Sequence, residues 1–151
     1  MLSVIQRVKQ AHVEVAGEVI GRIEAGLMVL VCAQATDTAE TAQRFLNKLL
    51  KLRIFADDAG KMNRSVQDLD GQGTPGGILL ISQFTLAADT RSGTRPGFSA
   101  AAPPDMAKPW FDDLLRRAQL THPLVQSGRF ATDMAVHLVN DGPVTIPMNL
   151  S

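Results

Sequence analysis

"LLISQFTLAADT", residues 79–90, starts as a buried strand and then changes character. Leu79, Leu80 and Ile81 form an apolar run, whereas Ser82, Gln83 and Thr85 set three polar side chains around Phe84. A strand with a purely structural task ends in turn residues, so this row of hydroxyl and amide groups raises the question of what it faces. A second apolar run, "GLMVLVCA" at 26–33, is rich in β-formers and reads as a strand covered on both faces. Two such strands separated by a helical stretch anchor the fold assignment.

That helical stretch is amphipathic. "DTAE", Asp37 to Glu40, has capping-box spacing and opens a helix to about Leu52, with Phe45, Leu46, Leu49 and Leu52 on its inner face. Upstream, residues 2–8 and 12–16 read as two short strands, and "AGEV" turns the chain into a third over 19–23. Downstream, "RIF" at 53–55 reads as a short strand and 60–77 as a loop with a Gly-rich tail. An irregular connection then runs to Pro104. "PPDMAKPWFDDLLRRAQ", 103–119, is a second helix with Trp110, Leu114 and Leu115 toward the core and Pro109 placed to delay or kink it. "PLVQSGRF", "MAVHLVN" and "PVTIPM" supply the last strands. Strand pairs interrupted by two helices predict an α/β or α+β fold whose mixed sheet curls toward a barrel. With no repeat and no linker, residues 1–151 read as one domain.

Composition narrows the function. Fifteen basic residues balance fifteen acidic ones, which argues against strong sequence-blind nucleic-acid binding through many phosphate contacts and against a DNA partner. Arg44, Lys48 and Lys51 share one helical face, which is either a solvated surface or a modest anion-binding patch. Cys32 is the lone cysteine, so neither an internal disulfide nor a Cys-based zinc cluster is expected. No apolar stretch reaches the roughly 18 residues of a membrane span, and "MLSVIQRVKQ" lacks the pattern of a signal peptide. A cytoplasmic protein without membrane association is expected.

Conventional chemistries find little support. His12 and His137 sit at alternating strand positions and His122 precedes Pro123; all three read as structural, and none shows metal-site spacing. Neither G-x-S-x-G nor a phosphate-binding glycine motif occurs, so no nucleotide cofactor and no metal are expected. Thr85 reads equally as a hydroxyl capping the backbone and as a nucleophile. "NDGPVT", 140–145, is the other dense polar cluster; its ordinary reading is a turn with a trans peptide, although a cis Gly142–Pro143 bond would fix two carbonyls in an unusual direction.

Taken together, the motifs resemble the D-aminoacyl-tRNA deacylase family. They run nearly end to end: "VIQRV" at 4–8, "LRIF" at 52–55, "GKMNRSVQD" at 60–68, "SQFTL" at 82–86, "ADTR" at 88–91, "RPGFS" at 95–99, "AAPP" at 101–104, "GRF" at 128–130 and "NDGPVT" at 140–145. The resemblance implies a deacylase fold, with mixed sheets curled into a barrel-like core and two main helices. It also implies a homodimer that edits aminoacyl-tRNA, hydrolysing D-aminoacyl and glycyl-tRNA(Ala) esters at the 3′-terminal adenosine of the acceptor end. Gln83 and Thr85 match the catalytic positions, while Ser82, Phe84, Met62, Asn63 and Phe98 match the pocket wall. Gly142 and Pro143 match a Gly-cisPro motif that enters the partner's site and excludes L-residues, and Arg7 matches its support. An already activated ester needs positioning and oxyanion stabilisation more than a side-chain base, and in this family the substrate 2′-hydroxyl is held to help activate water. That favours a positioning role for Thr85 over a nucleophilic one. The chain departs from the family pattern at Ala87, where an aromatic is usual, in "RSGTRPGF", and in a longer "DLDGQGTPGG" loop. A non-catalytic RNA module would need more stacking aromatics than 5% of residues, and a small-molecule esterase would turn over free esters.

Overall fold

The structure, a computed structural model, describes residues 1–151. Strand β1 is a single 14-residue element, Leu2–Val15, where the sequence suggested two. Lys9 and Gln10 are both exposed and interrupt the alternation, yet the backbone runs on because the segments on either side of them are paired along both edges. Strand β8, Ala135–Asn149, lies antiparallel along one edge from Leu2 to Glu14. The opposite edge is shared between β3, Gly26–Cys32, which pairs with Leu2–Val8, and β2, Glu18–Ile23, which pairs with Ala11–Val15. The polar pair marks the place where β1 passes from one neighbour to the other.

Beyond β3 the sheet continues in parallel to β6, Gly77–Ser82, and then to β7, Val125–Ser127. Alternation divides the apolar strands between two cores. Leu27, Val29, Val31, Ile78 and Leu80 join Ile5 and the helices in the larger one. Met28, Leu79 and Ile81 meet Val8, Ala11, Val13 and Ile23 in the smaller one. The expected two-sided burial of 26–33 is therefore present. Curling brings β2 over β6 and β7: a Cβ on Gly21 would lie 2.8 Å from the Ser127 carbonyl oxygen and 3.3 Å from Leu79 Cδ1. Only glycine fits at that approach, and the sheet there is nearly closed.

Helix α1, Ala39–Lys51, buries Phe45, Leu46 and Leu49, and Leu52 follows as its C-cap. Its capping box is formed by Thr38 and Thr41 rather than by Asp37 and Glu40. Asp37 is taken by a stronger partner, the Met1 ammonium at 2.8 Å, and it also accepts the Gln34 amide. Helix α2, Pro104–Thr121, starts at Pro104 and carries Pro109 inside it without delay. Leu114 is buried, while Trp110 and Leu115 pack against the core from partly buried positions. Two short strands, β4 at Phe55–Ala56 and β5 at Met62–Arg64, form a separate ribbon, so the presumed loop is partly ordered.

This packing predicts that Phe45→Ala costs about 3–5 kcal/mol of stability. Lys48→Ala on the exposed face should change it by less than about 0.5 kcal/mol. Urea unfolding of the two variants checks the contrast.

Candidate active site

The polar row of the opening stretch sits at the C-terminal end of the parallel pair β3–β6, a usual place for a binding crevice. Ser82 ends β6, and the Gln83 amide donates to the Val31 carbonyl at 2.7 Å. The chain then turns in a 3-10 helix, Phe84–Ala87, closed by the Leu86 amide on the Gln83 carbonyl and the Ala88 amide on the Thr85 carbonyl. The strand thus ends at Ser82 and passes into a tight turn. Within it the Gln83 side-chain amide donates to the Thr85 hydroxyl. Thr85 is exposed and Gln83 half-buried.

The segment after the turn is pinned so that a second aromatic reaches the first. Asp89 and Gly97 exchange backbone hydrogen bonds at 2.7 and 3.0 Å. The Arg91 guanidinium grips the Asp89 carboxylate through Nε and Nη2 and holds its pKa below the ordinary range. Phe98 follows and meets Phe84 edge-on, with ring centroids 5.1 Å apart at 73°. The Ala102 amide bonds the Ala33 carbonyl at 2.9 Å and ties the approach to α2 against the end of β3.

Between these straps lies a cavity of about 700 Å³. Ser82, Gln83, Phe84 and Phe98 line it, with Cys32, Trp110, Phe130, Asp133, Met134 and Val136. Fifteen of its 21 lining residues are hydrophobic, a composition suited to a flat ring or an apolar side chain oriented by few polar groups. Burial pushes the Cys32 thiol up in pKa, and the thiol donates toward the Ala33 and Phe84 carbonyls. It is therefore a neutral thiol and a poor nucleophile. No histidine lines the cavity; buried His122 is occupied at 2.7 Å by the Gly76 carbonyl, as expected of a structural histidine.

The second polar cluster is displaced from this cavity. In the β1–β8 ladder Gln6 pairs with Thr145 and Val8 with Asn140, so Arg7 alone stands opposite four residues, 141–144. The surplus chain bulges outward with Gly142 and Pro143 exposed at its tip, and the Gly142–Pro143 peptide is cis. Arg7 ties the bulge down: its Nε donates to the Asp141 carbonyl at 3.0 Å and its Nη1 to the Ile54 carbonyl at 2.7 Å. Asn140 braces the far side, accepting the Val144 amide and donating to the Thr145 hydroxyl. Gly142 has φ +129°, and a Cβ there would lie 2.9 Å from Val144 Cγ2 and 3.0 Å from Arg7 Nη2. No other residue type fits this corner without displacing its supports.

Of the residues singled out from sequence, Ser82, Gln83, Phe84 and Phe98 come together, and Thr85 joins through Gln83. Met62 and Asn63 do not line the cavity; Asn63 belongs to a shallow depression with Lys51, Arg53 and Arg64, where the Arg53 guanidinium donates to it. Lys48 and Lys51 are exposed, and Arg44 reaches the Ser151 carbonyl. Sequence reasoning missed Asn140 as a brace and Trp110, Phe130 and Met134 as walls. The five-residue interval from Asn140 to Thr145 was the available signal for the brace. Nothing local marks the wall residues. The geometry predicts that Arg7→Ala costs about 1.5–3 kcal/mol, the value of hydrogen bonds from a charged donor. Chemical denaturation measures this.

A family model described as D-Tyr-tRNA(Tyr) deacylase matches residues 4–149. A relative named D-aminoacyl-tRNA deacylase from Acidovorax ebreus (strain TPSY) is 60% identical over 151 residues, spanning 100% of this chain and 99% of the relative. One of the same name from Paraburkholderia xenovorans (strain LB400) is 59% identical over 145 residues, spanning 96% and 95%. Among solved structures, a c-Myc DNA unwinding element binding protein superposes with TM-score 0.91 at 37% identity, covering 100% of this chain and 99% of that one. A probable eukaryotic D-amino acid tRNA deacylase superposes at 0.79 with 18% identity, covering 99% and 98%, a likeness of fold.

Proposed function

The chain belongs to the D-Tyr-tRNA(Tyr) deacylase family and is a hydrolase of D-aminoacyl-tRNA, and from that premise we propose how its pocket works and how it refuses the L-form. The 3′-terminal adenosine and its aminoacyl ester enter the cavity, with Phe84 and Phe98 against the adenine and Ser82 and Gln83 as polar anchors. Water attacks the ester carbonyl carbon. The bond to the ribose 3′-oxygen breaks, the proton from water passes to that oxygen, and free D-amino acid leaves. Glycyl-tRNA(Ala) follows the same course, because glycine has no side chain to exclude.

The backbone amides of Phe84 and Thr85 stabilise the oxyanion. They open the 3-10 turn, where the first N–H groups lack intrahelical acceptors, and donors fixed before reaction stabilise developing charge. Gln83 holds the Thr85 hydroxyl in place, which makes Thr85 a positioning group, and the substrate 2′-hydroxyl assists water. No neighbouring base supports Thr85 as a covalent nucleophile. The observation that carries the chiral part is the outward Gly142–Pro143 bulge fastened by Arg7. In a homodimer this corner enters the partner's cavity, where its carbonyls collide with an L side chain. Rejection by collision needs no extra affinity for the right substrate. Residues 1–151 act as one domain. Zero net charge fits transient contact with an acceptor end rather than a long duplex, so DNA is not a partner.

If Thr85 positions, Thr85→Ser stays within about tenfold of the parent rate and Thr85→Ala slows kcat by roughly 10–100-fold, with no acyl-enzyme in rapid-quench samples. A D-aminoacyl ester trapped on Thr85 would assign it the nucleophile's role instead. Sedimentation should show a dimer. Replacing Arg44, Lys48 and Lys51 together by glutamate should raise KM for tRNA by roughly tenfold at unchanged kcat; unaltered kinetics would make that face a solvated surface.

A further inference from the structure

We propose that His12, Glu14 and His137 form a binding site for a zinc-type divalent transition metal on the outer face of the β1–β8 ladder. His12 and Glu14 are two residues apart on β1, so their side chains leave the same face of the sheet. His137 is the direct cross-strand partner of His12 on β8, where side chains stand close enough to interact. The two imidazoles stack with centroids 4.4 Å apart and planes within 8°. Both present Nε2 to the one carboxylate, His12 at 3.2 Å from Oε1 and His137 at 3.7 Å from Oε2 of Glu14. The three ligand atoms lie within 4.8 Å of one another.

Zinc bonds nitrogen and oxygen at about 2.0–2.2 Å, which separates tetrahedral ligands by roughly 3.3 Å. Closing to that distance takes small side-chain rotations, and these side chains are partly exposed, at 22%, 31% and 51%. Both rings must be neutral to offer lone pairs, and the carboxylate then supplies charge. Two imidazoles and one carboxylate with open positions suit zinc, nickel or copper; magnesium and calcium want oxygen. Alternation places this face opposite Val13 and Val136, and Val136 lines the catalytic cavity. A bound ion would therefore cross-link, from outside, the two strands that carry Arg7 and the Gly142–Pro143 bulge. The sequence hides the set, because His-x-Glu on a strand with a third ligand more than 120 residues later matches no helical metal motif.

Calorimetric titration of chelator-treated protein with zinc chloride, and separately with magnesium chloride, tests the site. The expected result is saturable zinc binding at no more than one equivalent per chain, a raised Tm with zinc, and no response to magnesium. His137→Ala, at a half-exposed position, should keep the metal-free Tm and weaken zinc by more than about tenfold, with Glu14→Gln also weakened. Absence of saturable zinc binding, an equal response to magnesium, or binding unchanged in the His12→Ala/His137→Ala double variant would overturn the proposal.

Discussion

Strand β1 is paired along both edges for nearly its whole length, and the rest of the molecule is organised by that fact. Its N-terminal half is held by β3 and β8 and its C-terminal half by β2 and β8. One strand thus sets the position of the parallel pair behind the cavity and of the long strand that carries the Gly-Pro corner. Arg7 makes the link explicit: from the middle of β1 it holds one carbonyl before the β4–β5 ribbon and one in the β8 bulge. Where the ladder fits one residue against four, the surplus has to leave the sheet, and the guanidinium fixes the direction in which it leaves.

Hydrolysis in this cavity, as proposed, relies on no histidine: none lines it, and Asp133 is its one carboxylate. Its walls are mostly apolar, its thiol is kept neutral by burial, and its polar groups sit on a short turn at the end of β6. An activated ester lowers the demand on the protein to orientation and charge stabilisation. Rigid attachment supplies that: Gln83 is bonded to β3 through its backbone and to Thr85 through its side chain. Two strapped loops then fix the opposing aromatics.

Much of this was legible in the residues. The continuous apolar runs at 26–33 and 78–81 are two-sided burial written in sequence, and the Phe45, Leu46, Leu49 spacing is one helix face. The row Ser82, Gln83, Thr85 pointed toward the cavity because polar groups at the end of a buried strand need a reason: the first two line it, and Thr85 is joined to it by Gln83. What escaped depends on partners distant in sequence. The unbroken β1 requires knowing that Lys9 and Gln10 lie at a handover between neighbours. Thr38 outcompetes Asp37 as the cap only because Asp37 is drawn to the Met1 ammonium. Trp110, Phe130 and Met134 become pocket walls through topology, not through a local pattern. Met62 and Asn63 were placed on the pocket by motif, and within one chain they lie outside it.

The most direct test of the account is the hydrolysis of matched D- and L-tyrosyl-tRNA by the purified protein at equal concentration. Rapid release of the D-amino acid with the L-ester left intact is the predicted result. Equal release of both would contradict the chiral role given to the Gly142–Pro143 corner, and release of neither would contradict the assignment of the cavity as a hydrolytic site.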